Sequence, residues 1–188
     1  MNNFDKVKQL RAVLKRRHIP GYYCWWFHEN AAKEICQCLG VKDLSHILRN
    51  DFDGETYMAL YFGISKDMED RMYWHICQHQ HNSFLSTLRL SLCGILTALG
   101  KMSQGKAESS VNSFIDANCI LEWDYTTTAK GAEIIEKTEL SKPDRWYPLN
   151  IQGNKSPCTN REAIKRLQEL RKTAKGHTVS TGKLSDQQ

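Results

Sequence analysis

Two side chains with phosphate chemistry stand one helical turn apart in RMYWHICQHQH, the densest polar cluster of the chain. They are Arg71 and His75, and side chains four residues apart on a helix project from the same face. A guanidinium binds two phosphate oxygens at once, and an imidazole can move a proton near neutral pH. The pair therefore has the chemistry of half a phosphodiesterase site, although incidental cations on a surface helix would show the same spacing.

A carboxylate that could hold a metal ion lies on a later predicted helix, in AEIIEKTEL. Glu136 has apolar neighbours there, and a carboxylate on an apolar face is costly unless it is paired or bound to a metal. Glu133 and Glu139 each lie one turn away, so the spacing leaves open which of the three faces inward. A single carboxylate suits Mg²⁺, which keeps several waters and shares its coordination shell with a substrate phosphate.

The polar cluster also permits a structural zinc site. Four possible ligands alternate along it: His75, Cys77, His79 and His81. Their spacing requires an extended segment or a loop to direct all four towards one ion, and no Cys/His pair follows at zinc-finger spacing. Cys36 and Cys38 add only a lone C-x-C on a predicted helix. A zinc-stabilised interaction adaptor is one alternative.

Tyrosines concentrate on two predicted strands, GYYCWWF at 21–27 and YMALYFGI at 57–64. Most strand tyrosines pack in the core with one end in water. Gly63, after Tyr61, would let a backbone or a phosphate come close. The chain has no Gly-rich phosphate loop and no Gly-x-Ser-x-Gly elbow, which excludes the commonest nucleotide-binding and hydrolase sites.

The elements that must position these side chains form a mixed pattern. Three strands are predicted, at 21–27, 57–64 and 119–125, with a hairpin turn at Asp53-Gly54 and an extended segment at 146–151. Helices are predicted at 4–17, 30–39, 65–78, 83–99, 111–118, 128–140 and 159–175. Asn30 is the expected N-cap of the second helix, and Thr159 with Glu162 is the expected capping box of the last.

This pattern predicts an α+β fold with a small, three-stranded, mainly antiparallel sheet flanked by helices. A helical insertion and basic terminal helices are added to it. Residues 100–110 are expected to be a loop and the last dozen residues a disordered tail.

Charge divides the chain into three parts. Residues 1–20 and residues 155–188 each carry a net charge of +5, whereas residues 21–154 carry −5. Basic arms suit a polyanion because each neutralised phosphate releases counterions, although they can also serve solubility alone.

Composition limits the class of protein. With 188 residues, of which 40% are hydrophobic, the chain can form one ordinary folded domain. Seven scattered cysteines, an odd number, do not indicate an extracellular disulfide framework. The longest apolar stretch, 90–99, is too short for a membrane span, and no secretory signal is present. We therefore expect a cytoplasmic protein without a membrane partner.

Taken in order, the aromatic strands and the Arg–His pair resemble the GIY-YIG nuclease family. Gly21-Tyr22-Tyr23 stands at the family's first signature strand, and Tyr61-Phe62-Gly63 stands at its second. The family then has an arginine eight residues past the glycine and a histidine four further on. Arg71 and His75 have that spacing from Gly63.

The resemblance continues along residues 20–152. Ile134-Ile135-Glu136 stands at the family's metal-binding glutamate in its apolar-apolar-Glu setting, and Pro148-Leu149-Asn150 at its Pro-x-Asn. Two features depart from the family pattern. The signature strands are usually joined by a short turn, whereas 37 residues separate Tyr23 from Tyr61, and Phe62 replaces an aliphatic residue.

What the resemblance implies is a metal-dependent DNA endonuclease of the α+β GIY-YIG type. Its catalytic domain would cover residues 20–154, between a basic helical arm at 1–19 and a basic helix and tail at 155–188. By analogy, Glu136 anchors Mg²⁺ or Mn²⁺, with Glu139 as the rival ligand, and Arg71 neutralises the phosphoryl oxygens.

The resemblance also implies roles for the remaining side chains. Tyr23 is the base or orients the attacking water with help from His75, Tyr61 holds the water and the phosphate, and Asn150 braces the site. A non-catalytic nucleic-acid-binding protein of the same fold is the main alternative. A double-strand cutter often acts as a homodimer, but the sequence leaves the oligomeric state open.

Overall fold

A five-stranded antiparallel sheet forms the centre of the computed structural model, which describes residues 3–13, 18–77, 86–102 and 107–182. In chain order its strands are β1 (Asn3–Lys6), β2 (Gly21–His28), β3 (Arg49–Phe52), β4 (Glu55–Ser65) and β5 (Cys119–Tyr125). Their spatial order is β1-β5-β2-β4-β3. The α+β class is confirmed, but the expected count of three strands is wrong, because short strands are added at both edges.

The three strands predicted from apolar composition form the middle of the sheet. Strand β2 pairs with β4 on one side and β5 on the other. Successive β2 side chains point to opposite faces, so Trp25 and Phe27 enter one buried cluster, whereas Cys24 and Trp26 enter the other. Burial on both faces explains why β2 is an almost unbroken apolar run.

The two edge strands lack such a signal. Strand β3, with the sequence RNDF, is largely exposed and pairs with β4 through a turn at Asp53 and Gly54, whose φ values are +53° and +81°. That turn confirms the predicted hairpin position. Strand β1 pairs with β5, so the helix expected from residue 4 begins only at Val7. Residues 14–17 of that predicted helix lie outside the described residues.

Seven α-helices of the described residues surround the sheet: α1 (Val7–Val13), α2 (Glu29–Cys38), α3 (Met68–Met72), α4 (Thr87–Ala98), α5 (Ala107–Asn118), α6 (Ala129–Glu139) and α7 (Arg161–Gly182). The helix expected at 65–78 is irregular, because α3 continues as a π-helix over Tyr73–Cys77. The expected helix 83–99 is described from Ser86, its N-cap, and α5 begins inside the expected loop 100–110.

Both predicted helix caps are wrong by a short distance. The ring of His28 accepts the N–H of Asn30, so the helix begins before Asn30. At α7 the side-chain oxygen of Asn160 accepts the N–H of Ala163 at 3.0 Å, while the Thr159 hydroxyl is buried without a hydrogen bond. A neighbouring Asn side chain competes for the same helix N–H groups, and the sequence alone does not show which side chain accepts them.

Helix α7 packs on the body of the protein. Its residues Ala163, Leu167 and Leu170 are buried, and α7 runs on to Gly182, past the predicted end at 175. The last six residues of the expected disordered tail, 183–188, lie outside the described residues. No described helix is long and apolar enough to cross a membrane. The division into segments 1–19, 20–154 and 155–188 stays a prediction.

The segment expected to be extended at 146–151 is irregular, with a turn at Pro148 and Leu149, and it covers the edge of β4 beyond β3. The N–H of Leu149 donates to the carbonyl of Leu60 at 2.8 Å, and Trp146 donates to the carbonyl of His46. Because β3 pairs with β4 only up to Met58, this segment takes over hydrogen bonding where β3 ends.

Candidate active site

A buried hydrogen-bond chain runs from strand β2 to the start of helix α4. The Tyr23 hydroxyl lies 3.0 Å from Nε2 of His75, and Nδ1 of His75 lies 2.6 Å from Oγ of Ser86. Burial raises the pKa of the Tyr23 phenol well above its usual value, so the hydroxyl keeps its proton. A protonated phenol can donate to Nε2, and in that tautomer the Nδ1–H group of His75 donates to Ser86.

Two residues outside the sequence motifs, Ser86 and Arg89, hold this hydrogen-bond chain in place. Ser86 is the N-cap of α4 and also accepts the N–H of Arg89 at 3.2 Å. The Arg89 guanidinium donates to the carbonyl of His75 at 3.0 Å. The cap could have been found from a serine directly before an apolar helical run. Nothing in the sequence pattern identifies Arg89, because its partner lies 14 residues away.

Gly63 makes room for the Tyr23 ring. The two residues are paired across β2 and β4, and a Cβ atom on Gly63 would lie 2.7 Å from both Cζ and the hydroxyl oxygen of Tyr23. Real Cβ contacts are never this close, so a side chain here must displace the phenol. Gly63, on the second signature strand, thus leaves the space that the ring of Tyr23, on the first, occupies.

On the role that the resemblance implies for Tyr23, we expect Gly63→Ala to lower DNA cleavage by about 100-fold or more, because a displacement of roughly 1 Å at a reacting group has that effect. Its stability should fall by about 1–3 kcal/mol, the usual cost of overpacking. Gly131→Ala is the matched control, since its Cβ would meet nothing closer than 3.4 Å. Urea unfolding and a cleavage assay measure both effects, and full activity in Gly63→Ala would contradict the prediction.

Tyr61 stands beside the buried chain on strand β4. Its hydroxyl lies close enough to Tyr23 to add to the burial that raises the pKa of that phenol, and it lies 3.3 Å from Oγ1 of Thr87. The two tyrosine rings are 6.3 Å apart between centroids. Both signature tyrosines therefore reach the same place, although 37 residues separate them in the chain.

Arg71 is a cation that forms no ion pair with any described acidic residue. Its Nε atom is buried and makes no hydrogen bond within the described part of the chain, and its guanidinium lies 5.4 Å from the centroid of the Trp74 ring. Its charge opposes the effect of burial on the pKa of Tyr23 and adds to the burial that lowers the pKa of His75, so it lies near both. Arg71 and Trp74 also line a cavity of about 390 Å³ together with Glu133. Lys66, Asp67 and Asp70 line the same cavity, so its charge is mixed.

Glu136 and Glu139 have different surroundings, although both lie on α6. Glu139 accepts hydrogen bonds from the Tyr147 hydroxyl at 2.7 Å, from Lys142 at 2.5 Å and from Arg145 at 3.4 Å. Glu136 is half-buried, and its carboxylate makes no hydrogen bond or ion pair with any described residue. Burial and the charge of Glu133 raise the pKa of Glu136, and its own charge raises that of Tyr23.

A divalent cation fits Glu136 better than Glu139. A half-buried carboxylate without a partner is unfavourable by itself and is stabilised by a cation. Glu139 already has three donors, so a metal would have to displace a buried network. Elsewhere, the ligand atoms of His18, Asp67 and Asp70 lie within 4.8 Å of one another. One oxygen of Asp67 caps helix α3, and the other contacts His18.

Asn150 stands apart from the phenol and imidazole groups and binds the backbone of strand β4. Its side chain accepts the N–H of Phe62 at 2.9 Å and donates to the Phe62 carbonyl at 2.7 Å. These two hydrogen bonds replace the ones that a neighbouring strand would make with β4 beyond the end of β3. Asn150 therefore fixes Phe62 between Tyr61 and Gly63.

The arrangement of these side chains disfavours a structural zinc site at His75 and Cys36. Both ring nitrogens of His75 are engaged by Tyr23 and Ser86, and Cys36 is buried with its thiol pKa raised to about 12. A thiol must ionise to bind zinc, so this environment disfavours it. His79, His81 and the side chain of Cys77 lie outside the described residues.

His75 should give the protein a pH-dependent stability. Burial, and then the charges of Arg71 and Arg89, lower the pKa of this imidazole well below its usual value. The unfolded chain therefore binds a proton below about pH 6.5 that the folded chain does not, and stability decreases as the pH falls from there. We expect a His75→Gln variant to lose this part of the slope. Urea unfolding at pH 5, 6 and 7.5 measures it, and an unchanged slope would contradict a neutral His75.

Comparison with known proteins identifies one family. The model of the GIY-YIG catalytic domain matches residues 21–173, which include the two tyrosine strands, α6 and most of α7. No curated protein and no solved structure gives a significant match to the chain.

Proposed function

The chain belongs to the GIY-YIG nuclease family, and on that premise we propose that it is a divalent-metal-dependent endonuclease that hydrolyses DNA phosphodiester bonds. Nucleases of this family generally depend on a divalent metal ion, and the family implies a DNA substrate. The proposed site consists of Tyr23, Tyr61, Arg71, His75 and Glu136, with Asn150 as a positioning residue.

One observation carries the proposal. Arg71 and Glu136 have opposite charges and both lie close enough to Tyr23 to shift the pKa of its phenol, yet neither forms an ion pair with any described residue. Two unpaired charges of opposite sign beside a buried phenol–imidazole chain suit a phosphate and a cation. Phosphodiester hydrolysis needs both, because negative charge develops on the phosphoryl oxygens and on the leaving oxygen.

Proton transfer in the proposed reaction follows the buried chain. A neutral phenol is a weak base, so Tyr23 must give its proton to Nε2 of His75 as it takes one from the attacking water. His75 is neutral, since its pKa is lowered, and it can accept that proton. Ser86 orients the ring by accepting from Nδ1. The water oxygen bonds to phosphorus as the bond to the 3′ oxygen breaks, and no covalent enzyme intermediate forms.

The charged and neutral side chains of the proposed site have different roles. Arg71 binds the phosphoryl oxygens, for which a guanidinium is suited. Glu136 would hold the divalent ion, which supplies positive charge to the leaving oxygen when bound. Tyr61, beside Tyr23, holds the phenol and the attacking water in line. Asn150 keeps the β4 backbone fixed beneath them.

The direct test is cleavage of supercoiled plasmid at low salt by the purified protein with Mg²⁺ or Mn²⁺. We expect nicked or linear product, no product in EDTA, and a loss of at least about 100-fold in Arg71→Ala, as for the removal of an oxyanion-binding group. Arg49→Ala, on the exposed edge strand β3, is the matched control and should keep its activity.

Two results would overturn the proposal. Equal cleavage by wild type and Arg71→Ala would place the activity elsewhere. No cleavage of plasmid, nicked, flapped or branched DNA by a folded protein would favour a binding protein of the same fold. Linear product without a nicked intermediate would indicate that two sites act together, as in a homodimer.

A further inference from the structure

Near the site, Arg171 is a second cation that pairs with no described acidic residue. It lies on α7, where its Nε atom donates to Oγ of Ser91 at 2.8 Å and one Nη atom donates to the carbonyl of Leu149 at 3.3 Å. The side chain is partly buried. Its other Nη atom makes no hydrogen bond to a described residue, and no described carboxylate pairs with it.

Both contacts place Arg171 on the elements that form the site. Ser91 lies on α4, whose N-cap Ser86 orients His75, and Leu149 precedes Asn150, which fixes the β4 backbone. Tyr61 lies close enough to Arg171 to offset part of the burial that lowers the pKa of the guanidinium. Arg171 therefore approaches on the Tyr61 side, from a helix outside the residues that the motifs identify.

The charge of Arg171 is not compensated within the described structure. Burial lowers the pKa of the guanidinium to about 10, so this cation is less stable here than in water. A partly buried charge that meets only neutral oxygens is costly unless an anion joins it. Two other cations of α7 differ, because Lys165 pairs with Glu162 and Arg166 pairs with Glu169 on the helix surface.

We propose that Arg171 binds a phosphate of the DNA backbone on the Tyr61 side of the site. The substrate is then held by two guanidinium groups, Arg71 after strand β4 and Arg171 on α7. This inference rests on the proposed function for its substrate. It gives α7 a direct part in the site in addition to its basic surface.

DNA binding in a cleavage-deficient Glu136→Gln background tests the proposal. We expect Arg171→Gln to weaken the Kd for a duplex about 5- to 10-fold at 0.1 M salt and to reduce the slope of log Kd against log[salt] by about 0.9, the value for one phosphate contact. Arg171→Lys should restore much of the slope because it keeps the charge. Arg166→Gln, on the same helix, is the control and should change Kd less than twofold.

A purely structural Arg171 would give a different pattern. Arg171→Gln would then lower the Tm but leave the salt slope and, in otherwise wild-type protein, the KM unchanged, and this outcome would overturn the inference. An altered slope in a protein that cleaves no DNA would support the phosphate contact while the proposed endonuclease fails. Absence of DNA binding by the wild type would overturn both.

Discussion

Glu136→Gln should abolish cleavage, by at least about 1,000-fold, while leaving the protein as stable as the wild type at pH 7 or more stable. The loss follows if this carboxylate holds the divalent ion, which supplies several kcal/mol of charge stabilisation to the transition state. Glutamine keeps the shape of the side chain but binds a hard cation poorly.

The stability effect has the opposite direction because the pKa of Glu136 is raised in the folded protein. A raised carboxyl pKa means that the folded state binds a proton more readily than the unfolded state. The stabilising contribution is therefore present below about pH 4.5 and is lost as the pH rises through the folded pKa. Glutamine is neutral at every pH, so its advantage should appear at pH 7 and disappear near pH 4.

Glu139→Gln is the matched control on the same helix. Glu139 accepts from Tyr147, Lys142 and Arg145, so this variant should lose stability and keep its activity per folded molecule. Thermal unfolding at pH 4 and 7, Mn²⁺ binding by calorimetry and plasmid cleavage measure the three effects. An inactive but stable Glu139→Gln with an active Glu136→Gln would reverse the assignment of the metal ligand.

Tyr23→Phe and His75→Ala should each reduce the cleavage rate by about 100- to 10,000-fold, which is the range of general acid–base catalysis. The two residues form one proton path through the 3.0 Å contact between the phenol and Nε2. Groups that act as a unit are strongly non-additive, so the double variant should be little worse than the poorer single variant. Single-turnover rates with saturating protein separate this effect from DNA binding.

Tyr57→Phe is the control for the tyrosine. Tyr57 lies on the same strand as Tyr61 but belongs to the cluster on the other side of the sheet, where its hydroxyl donates to Glu55. It should retain nearly full activity. If Tyr23→Phe keeps more than a tenth of the wild-type rate, the phenol is not in the proton path. Multiplicative loss in the double variant would mean that Tyr23 and His75 act independently.

Features that depend on residues close together in the chain could be predicted from the sequence. Apolar runs located the three central strands, and helical periodicity located α4 and α6. Asp53-Gly54 marked its turn because few residues adopt positive φ easily. The family could also be recognised, because Gly63, Arg71 and His75 keep their spacing within a short segment.

Features that depend on partners distant in the chain could be seen only in the folded protein. Glu136 and Glu139 look alike on one helix, and packing against Tyr147 and Arg145 is what engages Glu139. Strand β1 exists because its backbone pairs with β5, more than 100 residues later. Edge pairing uses backbone groups that every residue carries, so no side-chain pattern records it.

The same reason applies to the site. The contacts of His75 with Ser86, and of Arg171 with Ser91 and Leu149, join side chains to atoms on separate elements. Periodicity reports which face of its own element a residue occupies, but not what lies against that face. That information is created when the sheet, α4 and α7 pack together.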